Sequence, residues 1–259
     1  MNMIEKPSNE LIQEHLLVKV YKNRKQMGLA AGKEVAARIR ELLHKQQFVT
    51  MIFAAAPSQN EFLETLANEA GIDWGKVIAF HMDEYVGLPD DSPQQFRKYL
   101  EDHIINLVNP GQVHFLNGNA SMAEECQRYS KLIIDNPVDI VCCGIGENGH
   151  LAFNDPPVAD FTDREIVKVV ELEKTCRQQQ VNDGCFSSLE EVPTHALTLT
   201  IPTLLSARYI YCIVPSSLKA SAVYKSIFGT ISVSCPASVL RRHLRPVLYL
   251  DTDSAIHLV

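Results

Sequence analysis

Apolar residues along this chain fall into short unbroken runs, and between the runs lie longer stretches in which apolar positions recur every three or four residues. Unbroken runs of this length are the signature of strands buried on both faces, and the longer period is that of amphipathic helices. Strands are expected at 16–21, 48–53, 77–80, 138–143, 166–172, 196–201, 209–214 and 246–251. Helices are expected at 27–43, where Ala30, Val35, Ile39 and Leu43 share a stripe, at 58–70, from Ser92-Pro93-Gln94-Gln95 onward, at 121–135 and at 217–228. Ser58 with Glu61, and Ser121 with Glu124, have the spacing of capping boxes. Pro93 suits a first helical position, and Gly229 suits a helix stop. Strand–helix alternation with fully apolar strands implies an α/β fold, doubly wound, with a mainly parallel sheet and helices on both faces (Rossmann-like). No repeat, low-complexity tract or linker interrupts it, so 1–259 reads as a single domain.

Open sheets of this kind hold ligands just beyond the carboxyl ends of their strands. After the run 138–143 the chain places Gly144, Gly146 and Gly149 before His150, then Asn154 and Asp155. Glycines such as Gly146 let backbone approach a ligand closely, and a histidine exchanges protons near neutral pH. The competing view is a turn with a structural histidine. After 77–80 comes His81-Met82-Asp83-Glu84-Tyr85, where Asp83 suits a general base in a partly desolvated cleft. Alternatively Asp83 and Glu84 cap the next turn. His81 and Asp83 could also be metal ligands, but no second cluster has zinc-like spacing.

Two more turns follow strands. Ala54-Ala55-Ala56-Pro57-Ser58 enters a helix, so free N–H groups around Ala55, Ala56 and Ser58 could hold an anion at the positive end of the helix dipole. Ser58 could equally be only an N-cap. In Pro215-Ser216-Ser217-Leu218-Lys219, a lysine in the first helical turn opposes the dipole, a conflict that a bound phosphate would resolve; a solvated surface lysine is the alternative.

A formal charge of -7 argues against nucleic-acid binding but leaves an anionic small molecule open. Seven cysteines, an odd number without a C-x-x-C pair, suggest reduced thiols in the cytoplasm. Neither a signal-peptide core nor a run long enough to span a membrane is seen.

The segments His81 to Pro89, Leu116-Asn117-Gly118-Asn119-Ala120 and Gly144 to Asp155 resemble glucosamine-6-phosphate deaminases, as do Ala196-Leu197-Thr198, Thr203-Leu204-Leu205 and the Lys219 helix. The related 6-phosphogluconolactonases share the Gly-His turn but not the Ala152-Phe153-Asn154 that follows it here. The resemblance implies an aldose–ketose isomerisation with release of ammonia, a hydrolase/isomerase that needs no cofactor or metal and takes an amino-sugar phosphate to fructose 6-phosphate. It implies that Asp83 moves the proton between C2 and C1 and that His150 handles the ring-oxygen proton. Asn148 and Asp155 then stand at the positions that orient the histidine, where the family has aspartate and glutamate, and Glu147 is a candidate for the charge lost at Asn148. A phosphate-binding arginine of the family falls near Asn182 here, and the 54–58 turn lacks the family's glycine and threonine. Alternatives are the same chemistry on another amino sugar or sugar phosphate, and a non-catalytic sugar-phosphate-binding regulator. A lid is expected within 156–184, and a homo-oligomer is compatible with the resemblance.

Overall fold

The computed structural model describes residues 6–258. Among these, eight strands form one sheet in the order β1-β2-β11-β10-β7-β3-β4-β6. They are β1 (Asn9–Gln13), β2 (Leu16–Tyr21), β3 (Val49–Phe53), β4 (Val77–His81), β6 (Gln112–His114), β7 (Ile140–Cys143), β10 (Tyr209–Val214) and β11 (Pro246–Asp251). Every pairing is parallel except β1 with β2. From β3 the chain winds outward through β4 to β6, returns to β7 beside β3, and winds the other way through β10 and β11. The reversal lies between β3 and β7, and it opens a crevice at their carboxyl ends.

Strand alternation divides the core in two. Met51, Phe53, Ile140, Cys142, Tyr211 and Ile213 face helices α1 (Arg24–Leu43) and α2 (Asn60–Ala67). Ile52, Val141, Cys143, Ile210, Cys212 and Val214 face α5 (Met122–Asp135), α7 (Ile201–Leu205) and α8 (Ala220–Phe228). Residues of opposite parity point to opposite faces, and each fully buried aliphatic side chain contributes about 1.5–3 kcal/mol. At the opposite end of the sheet from the crevice, buried Asp139 accepts from the Thr50 N–H at 3.0 Å and pairs with Arg208 at 3.0 Å, tying the starts of β3, β7 and β10 together.

The doubly wound architecture follows the sequence pattern, with local differences. The runs expected at 166–172 and 196–201 do not join the main sheet. As β8 (Val167–Glu171) and β9 (His195–Leu199) they pair antiparallel, and β9 pairs with β5 (Asp83–Tyr85), making a separate three-stranded sheet. Neither expected capping box forms. Ser58 lies within a 3-10 turn (Pro57–Gln59), α2 begins at Asn60, and Glu61 turns to Arg24 at 2.6 Å. Glu125, rather than Glu124, accepts the Asn117 N–H at 2.7 Å, and Ser121 gives no side-chain cap. Ser92 and Pro93 belong to a turn, and α3 (Phe96–Leu100) starts four residues later than Ser92 because a distant carboxylate, Glu84, supplies its cap. α3 runs through a π turn (Glu101–Ile105) into α4 (Asn106–Val108). Gly229 ends α8 with extended rather than left-handed backbone. The polar strand β1 and the helix α6 (Lys174–Asn182) had no clear apolar signal.

His81, at the end of β4, is fully buried, and among the described residues neither ring nitrogen has a hydrogen-bond partner. Burial, assisted by the Arg97 charge, pushes its pKa down to about 3. Below the ordinary histidine range the unfolded chain therefore binds a proton that the folded chain refuses, and stability falls by at most about 1.4 kcal/mol per pH unit for this group as pH drops from about 6.5 towards 3. His81→Phe should flatten this acid limb, which urea unfolding at pH 7 and pH 4.5 would reveal as a smaller loss of stability than in wild type.

Candidate active site

Four adjacent strand ends, in the order β4-β3-β7-β10, send their following segments into one cavity of about 270 Å³. The turn after β3 contributes Ala54, Ala55, Ala56, Pro57 and Ser58, and the segment after β4 contributes Met82 and Asp83, the first residue of β5. The loop after β7 contributes Gly144, Ile145, Gly146, His150, Ala152 and Phe153, and the turn after β10 contributes Pro215, Ser216, Leu218 and Lys219. Gln179, Gln180, Asn182 and Asp183, from α6 and its end, form a further wall. Asn148 and Asp155 do not line the cavity; they lie behind His150.

His150 is positioned from both sides. A Cβ at Gly146 would sit 2.1–2.3 Å from three atoms of the imidazole, so only glycine admits the ring there. Gly149 has φ +86, a left-handed conformation that side chains disfavour, and this turns the chain so that His150 follows directly. The His150 Nδ1 lies 2.8 Å from Asn148 Oδ1 and 2.9 Å from Asp155 Oδ1. Both are acceptors, so Nδ1 carries the proton and Nε2 is left as the basic nitrogen. The amide of Asn148 is itself oriented: its Nδ2 donates to Asp155 Oδ1 at 2.9 Å and to Glu173 Oε2 at 2.7 Å. Burial alone would raise the Asp155 carboxyl, but the hydrogen bond and charge of His150, with the Asn148 amide and the Glu173 N–H, carry it below its ordinary value. The shorter aspartate therefore reaches the ring directly. Glu147 does not stand in for the charge missing at position 148; its carboxylate lies 3.9 Å from the Lys219 ammonium and accepts from Asn182 at 3.3 Å.

Asp83 and Glu84 divide the two roles left open by the sequence. Both are buried. Glu84 accepts backbone N–H bonds from Tyr85, Phe96 and Arg97 at 2.9, 3.0 and 2.9 Å, capping α3. Burial pushes its carboxyl up to about 7 against those three donors. Asp83 faces the cavity, and burial, together with the neighbouring Glu84 charge, raises its carboxyl well above the ordinary range. α3 is held against this corner by the rings of Tyr85, Phe96 and Phe153, the last two stacked at 5.5 Å.

The Lys219 ammonium is buried and has no hydrogen-bond partner among the described residues, and burial lowers its pKa while Asp183 and Glu147 oppose the shift. Beside it, Ser216 holds φ +87, and Ala152 on the loop after β7 holds φ +49, so two non-glycine residues on the cavity wall occupy strained left-handed backbone. Arg24 is a wall residue that the sequence pattern did not single out. Its guanidinium is engaged by Glu61 and by the Pro57 carbonyl, so it braces the 54–58 turn. His150, Asp155 and Cys176 also bring potential metal-ligating atoms within 4.8 Å of one another. The ring and carboxylate satisfy each other there, and burial, then Asp155, keep the Cys176 thiol protonated, an arrangement that suits a positioned histidine better than a cation.

Residues 22–248 match the family described as glucosamine-6-phosphate isomerases/6-phosphogluconolactonase. The chain is 34% identical over 184 residues to glucosamine-6-phosphate deaminases of Bacillus thuringiensis (strain Al Hakam) and Bacillus anthracis (strain A0248), covering 71% of this chain and 68% of each relative. A solved monomeric glucosamine-6-phosphate deaminase superimposes with a TM-score of 0.85 at 28% identity, covering 92% of this chain and 98% of that one. The 6-phosphogluconolactonase of Thermotoga maritima shares the fold, with a TM-score of 0.75 at 16% identity over 91% of this chain and 99% of that one. The chain belongs to the glucosamine-6-phosphate isomerase/6-phosphogluconolactonase family.

A buried ammonium that has only a long 3.9 Å ion pair to Glu147 and no hydrogen bond is incompletely compensated until an anion binds it. Lys219→Met should therefore raise the stability of the ligand-free protein by about 1–2 kcal/mol while abolishing stabilisation by inorganic phosphate or a phosphosugar. Thermal melts with and without these ligands check both effects.

Proposed function

We propose that this protein is a glucosamine-6-phosphate deaminase, converting glucosamine 6-phosphate and water to fructose 6-phosphate and ammonia. The observation that carries this reading is the pairing, across one cavity, of a buried carboxyl at Asp83 with an imidazole whose Nδ1 is occupied at His150. An aldose–ketose isomerisation needs one group to take a proton from C2 and return it to C1, and a second to handle the proton of the ring oxygen as the sugar opens. Asp83 is assigned the first role. Its loss of hydration raises its basicity, as carbon deprotonation requires. His150, accepting through Nε2, is assigned the second, with Asn148 and Asp155 as its orienting partners. Water then displaces ammonia at C2, which makes the net reaction a hydrolysis coupled to isomerisation.

At the far end of the cavity, Lys219 is the cation for the phosphate, assisted by backbone N–H groups of the Ala55, Ala56 and Ser58 turn and by Gly146. Segment 156–184, which carries α6, serves in this reading as the cover of the site. All seven cysteines are free thiols, consistent with a reducing, cytoplasmic setting. Among the described residues no helix is long and apolar enough to cross a membrane.

One observation favours a second reading, a different amino sugar: Lys219 has Glu147 and Asp183 as neighbours, and Asn182 stands where the family resemblance expects arginine. A wall with balanced charge binds a dianion less strongly than one carrying a bidentate arginine.

Ammonia release measured with glucosamine 6-phosphate and with glucosamine separates these readings. Release from the phosphorylated sugar supports the deaminase; release from glucosamine alone supports the second; binding of the phosphosugar without product points to a regulator. In the first case Asp83→Asn should lower kcat by at least about 100-fold with an unchanged melting temperature. Because Asp83 must be ionised to act as a base and its carboxyl is raised, kcat/KM should fall as pH drops through a limb lying above the ordinary carboxylate range, measurable as a pH–rate profile.

A further inference from the structure

From the bonding around Asn148 we infer that Glu173 is a positioning residue for His150: its carboxylate, acting through the Asn148 amide, supplies the second negative charge behind the imidazole and fixes which ring nitrogen is basic. This rests on the deaminase reading for its catalytic consequence, but its structural content stands on geometry.

The Asn148 amide has two chemically different ends. Its Nδ2 donates to Asp155 Oδ1 at 2.9 Å and to Glu173 Oε2 at 2.7 Å, and both partners are obligate acceptors when ionised. That leaves Oδ1 facing His150, where it lies 3.1 Å from the backbone N–H and 2.8 Å from Nδ1. Were the amide reversed, its nitrogen would oppose the imidazole N–H and its oxygen would oppose two carboxylates. The two acids thus set the amide, and the amide with Asp155 sets the ring.

Among the described residues the Glu173 carboxylate is hydrogen-bonded to Asn148 alone. The residue occupies the N-cap position of α6, yet its side chain makes no capping bond and turns inward to Asn148 instead. Its backbone N–H also points at Asp155 Oδ2, at 3.4 Å. The group is therefore a cluster of two carboxylates and one neutral amide. A carboxylate at position 148 would make three acids in contact, with like charges at hydrogen-bond distance. Neutral Asn148 and charged Glu173 accordingly belong together, as a displaced version of one carboxylate beside the histidine. Glu173 is also the first link to α6, whose Gln179 and Asn182 line the cavity, so the placement of that wall and the state of the imidazole share a residue.

The test is a double-mutant cycle on kcat and KM, run beside a ring-nitrogen NMR measurement of the His150 tautomer, with the resonance assigned by its loss in His150→Gln. Glu173→Gln keeps an acceptor for the Asn148 amide but removes the charge. It should lower kcat about tenfold at unchanged KM, move part of the His150 population to the Nε2–H tautomer, and leave the melting temperature near wild type; Glu173→Asp should recover part of the kcat. Asn148→Asp should cost about 100-fold in kcat with Glu173 present but less than about tenfold in the Glu173→Gln background, where the count of charges is restored. Wild-type kcat and tautomer in Glu173→Gln, or an equal cost of Asn148→Asp in both backgrounds, would overturn the inference. The tautomer needs no turnover, so it decides the role of Glu173 even if wild type releases no ammonia and the deaminase reading fails.

Discussion

The N–H of one imidazole, shared between Asn148 and Asp155, is the interaction around which this molecule's crevice is arranged. For Nδ1 to face those two oxygens, the ring must lie over residue 146, which only glycine permits. For the backbone N–H and Nδ1 of His150 both to reach Asn148 Oδ1, residue 149 takes a left-handed turn. The loop following β7 thus answers to a hydrogen-bonding requirement and to close packing at Gly146 and Gly149 together. The sheet contributes the reversal in strand order between β3 and β7, which leaves room at the strand ends for that loop.

The crevice gathers buried charges and strained backbone. The helices and the sheet bury long apolar sets on both faces. At the strand ends, by contrast, the Lys219 ammonium and the Asp83, Glu84 and Asp155 carboxyls are buried and two non-glycine residues hold left-handed backbone. These features oppose folding and are sustained by the apolar layers. A ligand that pairs with Lys219 relieves part of the cost, so affinity and stability are linked through the same side chain.

Much of this was legible in the chain. Apolar runs revealed the strands of the main sheet because strands buried on two faces have little room for polar residues. The same feature concealed the second sheet: β8 and β9 look like further core strands, and nothing local says that they pair with β5 instead. At the site, Asp83, His150 and Lys219 stood out because each follows a strand beside a turn. Glu173 did not, since it lies 25 residues from Asn148 and reads as an ordinary acid at a helix start. Arg24 was hidden in the same way, meeting Glu61 across 37 residues. Charges recruited from distant segments leave no spacing to recognise, and the failure of the Ser58 and Ser92 helix starts has the same origin, since Arg24 and Glu84 intervene from elsewhere.

Two consecutive acids on β5 have a consequence for how the gene can vary. Asp83 opposes Thr198 and Glu84 opposes Leu197 in an antiparallel ladder, and neighbours in a strand point to opposite sides. Which acid meets the sugar cavity and which anchors α3 is therefore a matter of parity, counted from β9. A one-residue slip of β5 against β9 would flip both acids to the opposite face, turning Glu84 to the cavity side and withdrawing the anchor from the helix. Insertions are far better accommodated beyond Val86, where the chain has already left the ladder. Two adjacent, chemically similar residues are thus made unequal by register alone, and evolution can lengthen this loop on one side of the pair but not on the other.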